Sequence, residues 1–172
     1  MKLLRLLLLL LAPMLLIGCS TITSYSPDIA SESPVYGTMT KDEAVDIVKK
    51  KGRVSGDVAD YRSFLTDENG FSYIKTTEKT ETKWKKGKPV GETKKTNTLT
   101  HNVPWNAVTD IDPYLQQYDF LLGDAYRMRL RFNMAEGRYG QRSRTTENFD
   151  MSCKTYEDLV DLTAAIRLLT GE

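Results

Sequence analysis

Residues 125–132 read AYRMRLRF, and this strict alternation constrains the chain more than any other stretch. Successive side chains of a strand point to opposite faces, so Tyr126, Met128, Leu130 and Phe132 share one face and Arg127, Arg129 and Arg131 the other. A helix would scatter both sets around its circumference. The chain must therefore build a sheet with an apolar face to cover and a charged face to neutralise.

A period of two dominates from Tyr61 to Met151. The DENG cluster at 67–70 supplies a turn, and Phe71, Tyr73 and the Thr-rich KTTEKTETKW follow as a strand. KKGKPVGE reads as a second turn and TKKTNTLTHNV as the return strand, which together give a long polar hairpin. WNAVTDI, YDFLLGD, the 125–132 stretch and ENFDMS continue the strand series. Helices bracket it. Thr40 and Glu43 form a capping box with a Met39/Ala44 staple, Ala44, Val45, Ile47 and Val48 make an apolar face, and Gly52 is the stop signal. Thr155 and Asp158 cap a second helix with Leu159, Leu162, Ile166 and Leu169 on one face before Gly171. The expected architecture is one α+β domain over 39–172, dominated by antiparallel sheet.

The stretches VPWNAVTDI, YRMRLRF and NFDMSCKTYEDLVDLTAAIRLL give roughly residues 55 to 170 an order of parts that resembles bacterial pleckstrin-homology-like domains. The resemblance implies a curved antiparallel β-sandwich or partly open barrel, plugged by the last helix. One departure matters: phosphoinositide-binding members carry basic residues between their first two strands, whereas here that loop is TDENG, with Asp67 and Glu68. Inositol phosphate recognition is not carried over, and the fold alone does not assign a function.

Ahead of this domain, Lys2 and Arg5 are followed by an apolar stretch from Leu6 to Ile17 and a small residue, Gly18, the order of a signal peptide over 1–18. The stretch falls short of the roughly 20 residues that span a bilayer. Leu16-Ile17-Gly18-Cys19 resembles the lipobox of bacterial lipoproteins, which implies acylation of Cys19 and a membrane anchor through its acyl chains. Several chains would make the attachment lasting. Ser20 after the cysteine resembles the sorting pattern for the outer membrane, facing the periplasm. Residues 19–38, rich in Ser and Pro, read as the lipidated cysteine and a flexible tether whose docking residues would be Tyr25, Ile29, Val35 and Tyr36.

Without the signal peptide the chain carries 22 basic and 23 acidic side chains, a balance unlike that of a nucleic-acid binder. Cys153 is then the one thiol left beside Cys19, and it reads as a small buried hydrophobe.

The sequence offers little chemistry. His101 is the only histidine, and no second imidazole, nucleophile elbow, phosphate loop or paired-cysteine motif accompanies it. It reads as a strand-end histidine before it reads as a general base. Asp110 and Asp112 place two carboxylates on one strand face, either a solvated face or paired acids, and no third oxygen-rich group lies nearby. No catalytic residue, metal site or cofactor is assigned, and the expectation is a protein that is not an enzyme.

Charge is distributed in blocks. Residues 75–95 hold eight lysines against three glutamates, 127–144 hold six arginines against one glutamate, and 103–124 hold four aspartates and no basic residue. Lys83, Lys85, Lys86 and Lys88 flank Trp84 at the expected hairpin tip, a composition shared by interfacial anchors and protein-contact hot spots. Lysines also keep an exposed edge from aggregating. Arg127, Arg129 and Arg131 repel one another unless acids on neighbouring strands or an anionic ligand lie alongside. Two functions follow as expectations: an envelope lipoprotein whose domain binds a protein partner or supports an envelope assembly, or a module binding an anionic phospholipid headgroup or polysaccharide through the Lys and Arg faces.

Overall fold

A computed structural model of the chain describes residues 20–54, 61–118, 124–138 and 141–172. It is an α+β structure with two antiparallel sheets. In chain order the strands are β1 (Ser20–Ser24), β2 (Arg53–Val54), β3 (Tyr61–Thr66), β4 (Gly70–Lys85), β5 (Lys88–Pro104), β6 (Val108–Tyr118), β7 (Ala125–Arg138) and β8 (Gln141–Cys153), with helices α1 (Lys41–Lys51) and α2 (Tyr156–Thr170). Short 3-10 helices cover Pro27–Glu32 and Trp105–Ala107. One sheet has the order β1-β6-β7-β8-β2 and the other β3-β4-β5. Neither closes into a barrel.

The apolar face of the 125–132 alternation is where the two sheets meet. Met128, Leu130 and Phe132 on β7, with Phe149 and Met151 on β8, are fully buried. The second sheet covers them with aromatic rings: Phe71 lies 5.3 Å from Phe149 and 5.7 Å from Phe132, and Tyr73 stacks on Phe149 at 4.7 Å. Each such ring contributes about 1.5–3 kcal/mol through burial, and its partners fix its orientation.

The helices form where their caps lie. Thr40 accepts from the Glu43 backbone while the Glu43 carboxylate accepts from the Thr40 backbone, the complete capping box. Gly52 ends α1 with φ −78°, so its glycine answers to space rather than to a left-handed turn. A Cβ there would meet the Val48 carbonyl at 2.8 Å and Met151 Sδ at 3.1 Å. Gly171 ends α2 in the left-handed region, with the Gly171 and Glu172 backbone both donating to Arg167. Burial of α2 exceeds the expected single face: Val160, Thr163, Ala164 and Ala165 are buried with Leu159, Leu162, Ile166 and Leu169.

The additional cover is the segment expected to be a tether. Residues 20–38 are packed on the domain instead. β1 pairs with β6 from Ser20↔Tyr118 to Ser24↔Tyr114, and Tyr25 N donates to the Pro113 carbonyl at 2.8 Å. Ser26 caps the first 3-10 helix, with Pro27 at its start, and Ile29 and Ala30 are buried. Ser33 and Arg167 then tie the segment to α2 through Asp161, the Pro27 carbonyl and Asp28. Two further expectations shift. Trp105–Ala107 is a 3-10 helix leading into β6 rather than strand, and Trp105 is buried with Nε1 donating to the Asp67 carbonyl at 2.9 Å. The stretch expected as a strand at YDFLLGD falls largely outside the described residues, as do the 1–18 segment and Cys19.

Candidate functional site

β4 and β5 pair without interruption from Gly70↔Pro104 out to Lys85↔Lys88. β3 accompanies β4 only to Tyr61↔Lys75, so from Thr76↔Thr98 onward the hairpin is a two-stranded ribbon, among the described residues. Ten β4 residues project past the core, about 30 Å at the rise of a strand. The described side chains of this arm are exposed or half-buried on both faces.

The base of the arm is aromatic. Tyr73 and His101 are cross-strand partners whose rings stack at 4.9 Å, and both are buried. His101 Nδ1 lies 3.0 Å from Met134 Sδ on β7. His101, read from sequence as a strand-end residue, therefore seals the junction between arm and core. On the same face of β4 as Tyr73, Lys75 pairs with Glu147 at 2.9 Å. These contacts fix the direction in which the hairpin leaves the domain.

At the tip, Lys86 and Gly87 occupy positive φ (52° and 74°), the turn geometry that matches the twist of a two-residue hairpin. Lys83 pairs with Gly91 and Trp84 with Pro89, leaving Val90 as the extra residue of a bulge that increases local twist. Pleating puts Lys83 and Lys85 on one face, where Lys88 joins Lys85 as its direct partner. Trp84 and Pro89 lie on the other. Lys83, Lys85 and Lys88 therefore flank Trp84 in sequence without sharing its face, and Trp84 is 67% exposed. The numbering alone contains this signal, because residues 83 and 85 must oppose 84 in any strand. Farther down, Lys95 pairs with Glu81 at 2.7 Å on a well-exposed surface, a contact worth less than about 1 kcal/mol.

Arg129 and Arg131 of the arginine row are paired with acids from both neighbouring strands. Arg129 Nε lies 2.9 Å from Asp150 Oδ1 on β8, and its guanidinium sits 5.1 Å from the Tyr114 ring centroid on β6. Tyr114 in turn donates to Asp150 at 3.1 Å, and burial with the Asp150 charge pushes its hydroxyl pKa up to about 12. Arg131 meets Asp110 at 3.1 Å and Asp112 at 4.0 Å. Arg127, the first residue of the row, is buried. Asp110 and Asp112 are thus ion-pair partners of the row, and among the described residues no group of three His, Cys, Asp or Glu side chains converges on a point that could hold a metal ion.

Cys153 is buried under α2, and desolvation pushes its thiol up to about 12, which suppresses nucleophilic thiolate. A hollow of about 430 Å³ is an open depression over Leu65–Asp67, Asn69–Ser72 and Asn102–Pro104, without a histidine or cysteine. Among the described residues no helix is long and apolar enough to cross a membrane. The chain matches no family model, no curated protein and no solved structure, so the reading of this site rests on its own residues.

Proposed function

We propose that the chain is a non-enzymatic, membrane-anchored lipoprotein of the bacterial envelope, whose domain presents the β4–β5 arm to a protein partner. The observation that carries this reading is the arm itself. Ten residue pairs extend past the core and end in a Trp that is 67% exposed. A two-stranded ribbon is marginal in water, and an exposed Trp beside charged side chains has the composition of a contact hot spot. The anchor rests on Leu16-Ile17-Gly18-Cys19, and the outer membrane, periplasmic side, on Ser20. A finer relationship to pleckstrin-homology-like domains is supported by two successive three-stranded meanders, β3-β4-β5 and β6-β7-β8, followed by a helix.

A second reading, capture of an anionic headgroup or polysaccharide, draws on Lys83, Lys85 and Lys88 at one face of the tip. The arginines lend it little, since Arg129 and Arg131 already face Asp150, Asp110 and Asp112. A photoreactive residue replacing Trp84 in intact cells separates the two. A discrete protein adduct, absent from a probe at Leu65, supports the first reading; lipid or glycan adducts that vanish at high salt overturn it in favour of the second. No adduct specific to position 84 removes the arm from both.

A further inference from the structure

We infer that the anchor holds the domain upright, with the Ser20 end of the larger sheet at the bilayer and the β4–β5 arm rooted at the opposite end. This rests on the lipoprotein reading above, and it goes further by fixing which surface the membrane takes.

Three observations carry it. First, the chain has no slack at the anchor. Ser20, the residue after Cys19, is already paired with Tyr118, and the register is continuous to Ser24↔Tyr114. Tyr25 N continues the attachment to the Pro113 carbonyl, and the following 3-10 helix is tied to α2 by Ser33, Pro27 and Asp28. Between an acylated Cys19 and a residue fixed in the sheet lies one peptide unit, about 3.8 Å. A free segment of 19 residues would instead reach about 25 Å and let the domain turn in any direction.

Second, the arm departs from the far end of the same sheet. Ser20 is level with Tyr118, and the β6 strand runs from there back to Val108, which is level with Phe132 on β7. Phe132 is where Phe71 packs, and Met134 is where His101 packs. The base of the arm is therefore nine or ten strand residues from Ser20, about 30 Å.

Third, the arm leaves from that far level without returning toward Ser20. Residues nearer the β7–β8 turn lie farther from Ser20, because Phe149 pairs with Leu130 and Glu147 with Phe132. β4 meets Phe149 through Phe71 and Tyr73, then Glu147 through Lys75, and only then becomes the free ribbon. Its next ten residues add about 30 Å of length beyond that point. Trp84 is thereby held out of reach of the leaflet that carries the anchor. Its partner lies across the envelope space or stands beside the domain.

The arm and the body differ in the sign of their charge. Residues 76–98 carry seven lysines and three glutamates, while the rest of the chain after Cys19 carries 15 basic and 20 acidic side chains. An anionic bilayer would attract the arm and repel the body, so the upright arrangement rests on the pairing at Ser20 and works against charge.

The test uses the full lipidated protein reconstituted in phospholipid vesicles that contain nitroxide-labelled headgroup lipids. An environment-sensitive fluorophore is attached at Gln117→Cys, beside Ser20, or at Glu92→Cys, near the arm tip; Thr21→Cys and Lys79→Cys form a second pair in case one variant fails to fold. The expected result is loss of most of the fluorescence at 117 and 21, and quenching several-fold weaker at 92 and 79. Equal quenching at both ends, or stronger quenching at the arm, overturns the upright orientation while leaving the anchor standing. Mass spectrometry of the same preparation reads the anchor separately. A Cys19 without acyl chains, in protein that does not float with vesicles, overturns the lipoprotein reading and the orientation with it.

Discussion

Ser33 donates a 2.6 Å hydrogen bond to Asp161 across 128 residues of sequence, and Lys51 reaches the other oxygen of that carboxylate at 2.6 Å. Lys51 also lies 3.2 Å from Asp158. One acidic patch on α2 thus holds both the end of α1 and the segment that follows β1. Ser33→Ala removes the first of these ties and leaves the second. The expected cost is about 1–2 kcal/mol, the range for a hydrogen bond to a charged group in a partly buried setting. Urea unfolding measures it, and hydrogen exchange at Ile29 and Ala30 should rise more than exchange in β7.

The outer face of the larger sheet makes a prediction with a pH sign. Tyr114 keeps its proton more tightly when folded, with its pKa raised from 10.0 to about 12 by burial first and the Asp150 charge second. The folded state therefore binds more protons than the unfolded chain between those values. The stability that Tyr114 contributes is fully present below pH 10 and is lost as pH rises toward 12. Tyr114→Phe should flatten that loss relative to the parent protein in denaturation curves at pH 9, 10 and 11. Asp150→Ala should cost about 1–2 kcal/mol at neutral pH, because Arg129 loses its 2.9 Å partner while Asp112 remains close.

That face was legible in the sequence because pleating leaves no choice: once AYRMRLRF is a strand, three arginines share a side and must find acids on the strands beside it. Which acids was not legible, since the register that sets Asp112 opposite Arg129 and Asp150 on its other side depends on turns between distant stretches. The α1 cap was readable for a similar local reason, as both partners of the Thr40–Glu43 box lie within one turn. β1 was missed because STITS is short and polar, all of its side chains are exposed, and its stability comes from backbone bonds to residues 90 or more positions away. Ser26-Pro27-Asp28 did carry a helix-start signal, a capping residue followed by Pro at the first helical position. The arm's length was visible, whereas the burial of His101 at its base follows from Met134 and Tyr73 converging from different sheets.

Cys153 gives a direct probe of opening. It is buried and its thiol is pushed up to about 12, chiefly by desolvation. A thiol reagent at pH 8 should react with the native protein at the rate at which α2 lifts from β8, and at least about tenfold faster in denaturant. Immediate stoichiometric reaction in native buffer would contradict the packing described above.

Gly52 separates two roles of glycine. Because its φ is −78°, the backbone would accept alanine, and the substitution would ordinarily gain stability by restricting the unfolded chain. Here the added methyl meets the Val48 carbonyl at 2.8 Å and Met151 Sδ at 3.1 Å. Gly52→Ala should therefore destabilise by about 1–3 kcal/mol, the cost of overpacking a well-filled contact. Gly52→Ala combined with Met151→Ala should recover part of that loss against Met151→Ala alone, which a double-mutant cycle by urea unfolding reads.

The arm should prove separable from the fold. Its described residues beyond Thr76↔Thr98 bury nothing in the core, and the aromatic cluster that joins the sheets ends at Tyr73 and His101. Replacing residues 77–97 by Asn-Gly joins Thr76 to Thr98 through a two-residue loop suited to a hairpin. The shortened protein should keep its helices and unfold within about 1 kcal/mol of the parent, as expected when only exposed ribbon is removed. It should also fail to co-purify with the partner that a probe at position 84 captures in the intact chain. A large fall in stability would instead make the ribbon a structural member of the domain, and its lysines and Trp84 would then answer to folding before recognition.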